Sequence, residues 1–64
     1  MIKNNLKSYR AKAGLTQGEV AKKIGIAPNS YSFKENGKRE FTLSEAKAIA
    51  DIFGDTIDKI FFDG

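Results

Sequence analysis

The sequence predicts an all-α fold, a compact five-helix domain taking in residues 1–64. Three observations predict it. Apolar residues recur at helical spacing in five stretches, and no stretch reads convincingly as a strand. Glycines follow the first, second and fourth stretches, while a Thr with a Glu three positions later opens the second and the fourth. Finally, 64 residues suffice for one small core, near the lower limit at which a chain without metal or disulfide holds together.

Each element follows in order. Ile2, Leu6, Tyr9 and Ala13 lie at helical spacing, and Gly14 stands where a C-terminal cap would, so a first helix is expected over residues 2–13. Thr16 and Glu19 form a capping-box pattern, after which Val20, Ala21 and Ile24 supply the buried stripe of a second helix. Pro28 suits the first turn of a third helix, where its missing N–H has no partner to lose, and Tyr31 turns that helix toward the core. Between them Gly25 stands three residues before Pro28. So short a break is a turn rather than a linker: Gly25 is free to take positive φ, and Ala21 is small enough for close approach. Residues 16–37 therefore read as a helix-turn-helix, a unit that presents its second helix to the DNA major groove. Thr42 and Glu45 repeat the capping box before Leu43, Ala46, Ile49, Ala50 and Phe53, and Gly54 closes the fourth helix. A short fifth helix, about Thr56 to Phe61, returns Ile57, Ile60 and Phe61 to the core or to a partner. No internal repeat, low-complexity tract or second-domain boundary interrupts the chain.

Composition narrows the function. With no Cys and no His, disulfides, thiol chemistry and the usual zinc sites are excluded, and nothing argues for an oxidising compartment. A soluble, cytoplasmic protein is the expectation, since no apolar run approaches a membrane span and Met1-Ile2-Lys3-Asn4-Asn5 lacks a signal-peptide core. The net charge of +3 is unevenly spread. Residues 1–39 carry nine Lys/Arg against Glu19 and Glu35, a balance of +7, while residues 40–64 carry Lys47 and Lys59 against six acids, a balance of −4. A basic part holding the helix-turn-helix suits a phosphate backbone, with the acidic remainder turned away from it. Charge alone does not separate this from a solvated basic surface. Catalysis is not implied: a Gly-rich phosphate loop and a motif-bound acid pair are missing, and Asp51, Asp55 and Asp58 read as helix-end and surface acids rather than a metal cluster. No cofactor, metal or small-molecule ligand is expected.

From Leu15 to Phe61 the chain resembles the Cro/repressor, or XRE-like, helix-turn-helix family, found among phage repressors and small bacterial regulators. The resemblance rests on Leu15-Thr16-Gln17, Glu19-Val20-Ala21, Ile24-Gly25-Ile26, Glu35-Asn36-Gly37-Lys38 and Ile57-Asp58-Lys59-Ile60-Phe61, in this order and spacing. The first helix matches too, and Lys34 to Thr42 resembles prophage-borne members. The implied fold is lambda-repressor-like. The implied function is sequence-specific regulation of transcription by a phage- or prophage-type repressor on a pseudo-palindromic operator.

The resemblance implies base reading by Pro28, Asn29, Ser32 and Phe33, and phosphate contact by Thr16, Gln17, Ala27, Ser30, Asn36, Lys38 and Arg39. Physical chemistry stands beside several of these. Gln17 is at the start of the second helix, where N–H groups and the positive dipole end meet a phosphate that its amide also reaches; the plain alternative is a residue making local bonds. The amide of Asn29 matches adenine N7 and N6, although Asn also simply favours helix starts. Ser30 and Ser32 suit phosphate, either base, or no ligand at all. Gly37 permits a turn that delivers the cations of Lys38 and Arg39 directly after the third helix. Arg10 and Glu35 are implied to form an ion pair tying the first helix to the third.

Three positions depart from the family pattern. Ala27 replaces a capping Ser or Thr, which forfeits about 1 kcal/mol of capping. Lys34 replaces an aliphatic residue, so either its stem runs along the core edge or Phe33 turns inward in its place. Phe33 falls at a base-contact position, where its ring can meet a thymine methyl. Gly18 weakens the second helix. A homodimer, at least on DNA, is expected because one helix-turn-helix reads few base pairs; Ile57, Phe61 and Phe62 are the candidate contacts, with Phe62 facing either a partner or its own core. The rival reading is an antitoxin-type interaction module that binds a toxin through its acidic half and DNA through its basic half, with Phe61-Phe62 as the adhesive patch.

Overall fold

The computed structural model describes residues 5–62. Four α-helices, α1 (Leu6–Ala13), α2 (Gln17–Ile24), α3 (Pro28–Glu35) and α4 (Leu43–Phe53), are followed by a π-type turn at Asp58–Phe62, and no strand occurs among the described residues. The radius of gyration, 10.3 Å, is close to the roughly 11 Å expected of a folded chain this long. No helix among the described residues is long and apolar enough to cross a membrane.

Local chemistry sets the helix ends. Thr16 Oγ1 accepts from the Glu19 N–H at 3.1 Å while the Glu19 carboxylate accepts from the Thr16 N–H at 2.8 Å. Thr42 and Glu45 repeat this reciprocal pair at 3.1 and 2.9 Å. Both boxes satisfy amides that a helix start otherwise leaves without partners. After α2, Gly25 takes φ +79°, which lets the Ile26 N–H reach back to the Ala21 carbonyl at 3.0 Å and drops Ile26 against the core. This compact reversal leaves three residues between α2 and α3 and packs the two helices directly on each other.

The core is built from Leu6, Val20, Ala21, Tyr31, Ile49 and Ile60, all fully buried, with Ala46 and Phe61 beside them. Phe41, which precedes α4, links Tyr31 at 5.8 Å between ring centroids to Phe61 at 5.3 Å, both in edge-on contact. Such offset geometry suits the ring quadrupoles. Tyr9 packs on Phe53 at 5.5 Å and donates from its hydroxyl to Asp55 at 2.6 Å.

Three expectations, the start of α1 and the burial of Ala13 and of Leu43, need correction. Helix α1 opens at Leu6 rather than residue 2, because Asn5 is not helical; its N–H and its side chain bond instead to the carbonyls of Ile60 and Lys59. Ile2 lies outside the described residues, and Ala13 is exposed. Leu43 is 66% exposed: it is the first residue of α4 and, despite its helical register with Ala46, it lies outside the buried core. The expected fifth helical element is present as a single π-type turn, whose wider winding brings the successive residues Ile60 and Phe61 onto one buried face. Phe61 is therefore packed in its own core, 8% exposed, whereas Phe62 points outward at 60% exposure.

Candidate nucleic-acid interface

Helix α3 has two distinct faces. Tyr31 and Glu35, four residues apart, are buried, with Lys34 beside them at the core edge. The opposite face carries Asn29, Ser32, Phe33 and Asn36 at the same helical spacing. Asn29, Phe33 and Asn36 are exposed, and the Asn36 amide donates to Ser32 Oγ at 3.4 Å along this face. Pro28 and Ala27 are exposed at its leading end, and Ser30 is half-buried. Ala27 supplies no side-chain cap, so the first-turn amides of α3 remain available to an anionic ligand.

Beneath this face lies a polar anchor. Arg10 donates from Nε to Glu35 Oε1 at 2.8 Å and from Nη2 to Oε2 at 2.9 Å, and its Nη1 donates to the Leu15 carbonyl at 3.2 Å. Gln17 Nε2 donates to Glu35 Oε2 at 3.0 Å. One carboxylate thus joins α1, α2 and α3, and the bond from the Gln17 amide is a tie that leaves no pattern in the sequence. Burial acts to raise the Glu35 pKa, but hydrogen bonds from Arg10 and Gln17 outweigh it and hold the carboxyl below its usual range. The same hydrogen bond to Glu35 raises the Arg10 pKa. The Tyr31 hydroxyl lies beside this pair but short of hydrogen-bond geometry. Burial raises its pKa above the ordinary phenol value, as does neighbouring Glu35.

The structure separates the two fates of Lys34 and Phe33. Lys34 lies along the core edge with its ammonium on both oxygens of Glu45, at 2.6 and 2.8 Å, and about 6.0 Å from the Phe41 ring centre. Phe33 faces outward, 44% exposed. Following α3, Gly37 adopts φ +82° and turns the chain so that exposed Lys38 and Arg39 come back toward that ring. Thr16 is exposed at the head of α2, with Gln17 half-buried behind it. The base-reading and phosphate-contact candidates thus occupy the outer face of α3, its two flanking turns and the start of α2.

A second surface adjoins this one at Gly37 and Arg39. An open groove of about 300 Å³ runs between the α3–α4 connection, the start of α4 and the π-type turn, lined among others by Phe41, Leu43, Ala46, Ile57, Phe61 and Phe62. Ile57 is half-buried there. No cluster of His, Cys, Asp and Glu suited to a metal ion is found among the described residues.

Comparison with known proteins agrees with this architecture. Residues 6–60 match the family model described as Helix-turn-helix. An uncharacterized HTH-type transcriptional regulator of Methanocaldococcus jannaschii is 43% identical over 60 residues, covering 94% of this chain and 91% of that protein. One from Archaeoglobus fulgidus is 37% identical over 60 residues, covering 94% and 86%. Among solved structures, the SOS-response transcriptional repressor LexA from Eubacterium rectale superposes with a TM-score of 0.78 at 34% identity. That match covers 86% of this chain and 58% of the LexA chain, so the chain spans less than two thirds of it. The clp gene regulator ClgR from C. glutamicum gives a TM-score of 0.70 at 27% identity, covering 81% of this chain and 68% of the other.

Proposed function

The chain belongs to the helix-turn-helix family of DNA-binding transcriptional regulators and is not an enzyme, and from that premise we propose that it is a sequence-specific, Cro-like repressor of phage or prophage type. It acts by occupying an operator and excluding polymerase or another regulator. The observation that carries this reading is the two-faced α3, whose outward Asn29, Ser32 and Phe33 are braced from behind by the bond of Glu35 to Arg10 and Gln17. Rigid support of a reading face is what base recognition needs, since a displaced donor loses its bidentate partner. Asn29 reads adenine, while Pro28, Ser32 and Phe33 complete the base contacts. Thr16, Gln17, Ala27, Ser30, Asn36, Lys38 and Arg39 hold the phosphates. Repression is favoured by the likeness to a protein named as a transcriptional repressor, and the phage-type reading by the resemblance of Lys34 to Thr42.

Two copies occupy a pseudo-palindromic operator. One reading helix covers too few base pairs to select a single genomic site, and a two-fold pair doubles the number read. The groove bearing exposed Leu43 and Phe62 is the pairing surface: a two-fold related copy seated there would cover both apolar side chains at once. Selection of binding sites from random duplexes tests this directly. The expected product is two inverted half-sites about 34 Å apart, or a multiple of that. Unpaired half-sites would remove the dimer reading, and an absence of any enriched sequence would remove the sequence-specific one.

A further inference from the structure

Among the exposed residues of α3, Phe33 is the one whose surroundings the base-contact role leaves unexplained. Lys38 Nζ lies 5.9 Å from its ring centre and Arg39 Cζ lies 6.0 Å away. Its carbonyl accepts from both of their amides, at 2.8 and 3.4 Å. One residue therefore holds the backbone of the two cations and also meets both of their charged ends.

We propose that Phe33 is a positioning residue, which gathers Lys38 and Arg39 at the end of α3 so that they engage the phosphate backbone as one unit. The inference rests on the DNA-binding reading above. The two side chains are exposed, and among the described residues neither forms an ion pair, whereas Lys34 is neutralised by Glu45. Long, solvated cations sample many rotamers and lose that freedom when they bind a phosphate. An aromatic face attracts a cation without satisfying its N–H donors, so it narrows the rotamers while leaving the donors available to phosphate oxygens. The turn at Gly37, φ +82°, brings the two cations onto a ring that lies behind them in sequence. A leucine at position 33 would keep apolar bulk and the carbonyl, but not the ring quadrupole. A tyrosine would keep all three.

The two roles of Phe33 make different predictions. A thymine contact acts on operator DNA at one base pair, whereas gathered cations act on any duplex. The experiment is a fluorescence-anisotropy titration of random-sequence duplex, across a range of salt, with wild type, Phe33→Leu, Phe33→Tyr and the pair Lys38→Ala/Arg39→Ala with and without Phe33→Leu. Phe33→Leu is expected to weaken random-duplex binding about two- to fivefold, and to make the fall of log affinity with log salt shallower by up to about one counterion. Phe33→Tyr should restore both, and Phe33→Leu should add nothing once the cations are gone. A Phe33→Leu protein with unchanged random-duplex affinity and salt slope would overturn the proposal and leave Phe33 a base contact only. An undiminished effect in the cation-free background would overturn it too. Failure of wild type to bind any duplex would instead remove the DNA-binding reading on which it rests. Proton NMR of the wild type is independent of any variant's folding: ring-current upfield shifts of the Lys38 and Arg39 methylenes are expected, and methylenes at random-coil positions would contradict the proposal.

Discussion

Substituting Glu35 by Gln removes one charge from the point where three helices meet, with little change in shape. The Glu35 side chain is fully buried and the Arg10 side chain is 17% exposed. Removing one partner of a buried pair costs about 3–5 kcal/mol, because the other charge is stranded. Here the stranded Arg10 keeps its bond to the Leu15 carbonyl and some contact with water, and the new amide oxygen still accepts one hydrogen bond. A cost of about 2–3 kcal/mol is therefore expected. For a domain of this size that is a large share of a total of roughly 3–10 kcal/mol. With a urea dependence of about 1 kcal/mol per molar, the unfolding midpoint should fall by about 2–3 M.

The pH dependence gives a second reading of the same site. The folded pKa of Glu35 is lowered, with burial opposed and overcome by the bonds from Arg10 and Gln17. The unfolded chain then binds protons more readily than the folded one. The contribution of Glu35 is fully present above its unfolded value of about 4.5 and is lost as pH falls through the folded pKa. Glu45 contributes in the same direction: burial opposes, but the Lys34 hydrogen bond lowers its pKa. Urea midpoints followed by circular dichroism at pH 7 and in the acid range should show wild type losing stability on acidification and Glu35→Gln losing less. A midpoint at pH 7 within about 0.5 M of wild type would refute the anchoring role.

Asn29→Ala should cost about 1–3 kcal/mol on operator DNA and relax selection at one base pair, with random-duplex affinity kept; unchanged operator preference in a titration would remove the adenine assignment. Gly18→Ala should stabilise the fold by about 0.5–1 kcal/mol in thermal or urea unfolding. Gly18 is helical, and a methyl there would meet only Thr16 Oγ1 at 3.9 Å; a destabilised variant would mean that the backbone there needs glycine. Phe62→Ala should abolish cooperative filling of paired half-sites in footprinting while leaving single half-site binding intact, and retained cooperativity would move the pairing surface elsewhere.

What was legible in the sequence was local. Capping boxes, glycine stops and the proline at the start of α3 act within a few residues, and each of these features stands in the structure where the pattern places it. The polar ties between distant elements were harder to read. Gln17 meets Glu35 across 18 positions, Lys34 meets Glu45 across 11, and Tyr9 meets Asp55 across 46. Hydrogen-bond partners leave no periodicity behind, so only the family resemblance pointed to one of them, Arg10 with Glu35. Leu43 shows the limit of periodicity itself: its phase along α4 is right for burial, yet at the first position of that helix it stays 66% exposed. The π-type turn at Asp58–Phe62 is too short for any hydrophobic period to distinguish it from an α-helix. As for the interface, the sequence placed Phe33 and Lys34 in competition for the core, and the partnership of Lys34 with Glu45 accounts for which one went inward.

The central claim, that α3 reads duplex DNA through the face opposite Tyr31 and Glu35, is tested most directly by titrating isotope-labelled protein with a selected operator duplex and following the backbone amide resonances. The account predicts saturable shifts concentrated at Gln17, Asn29, Ser30, Ser32, Phe33 and Gly37 to Arg39. Core-facing Tyr31 and Glu35 should move less. Shifts confined to the groove around Leu43 and Phe62, or no saturable change with any duplex, would contradict it.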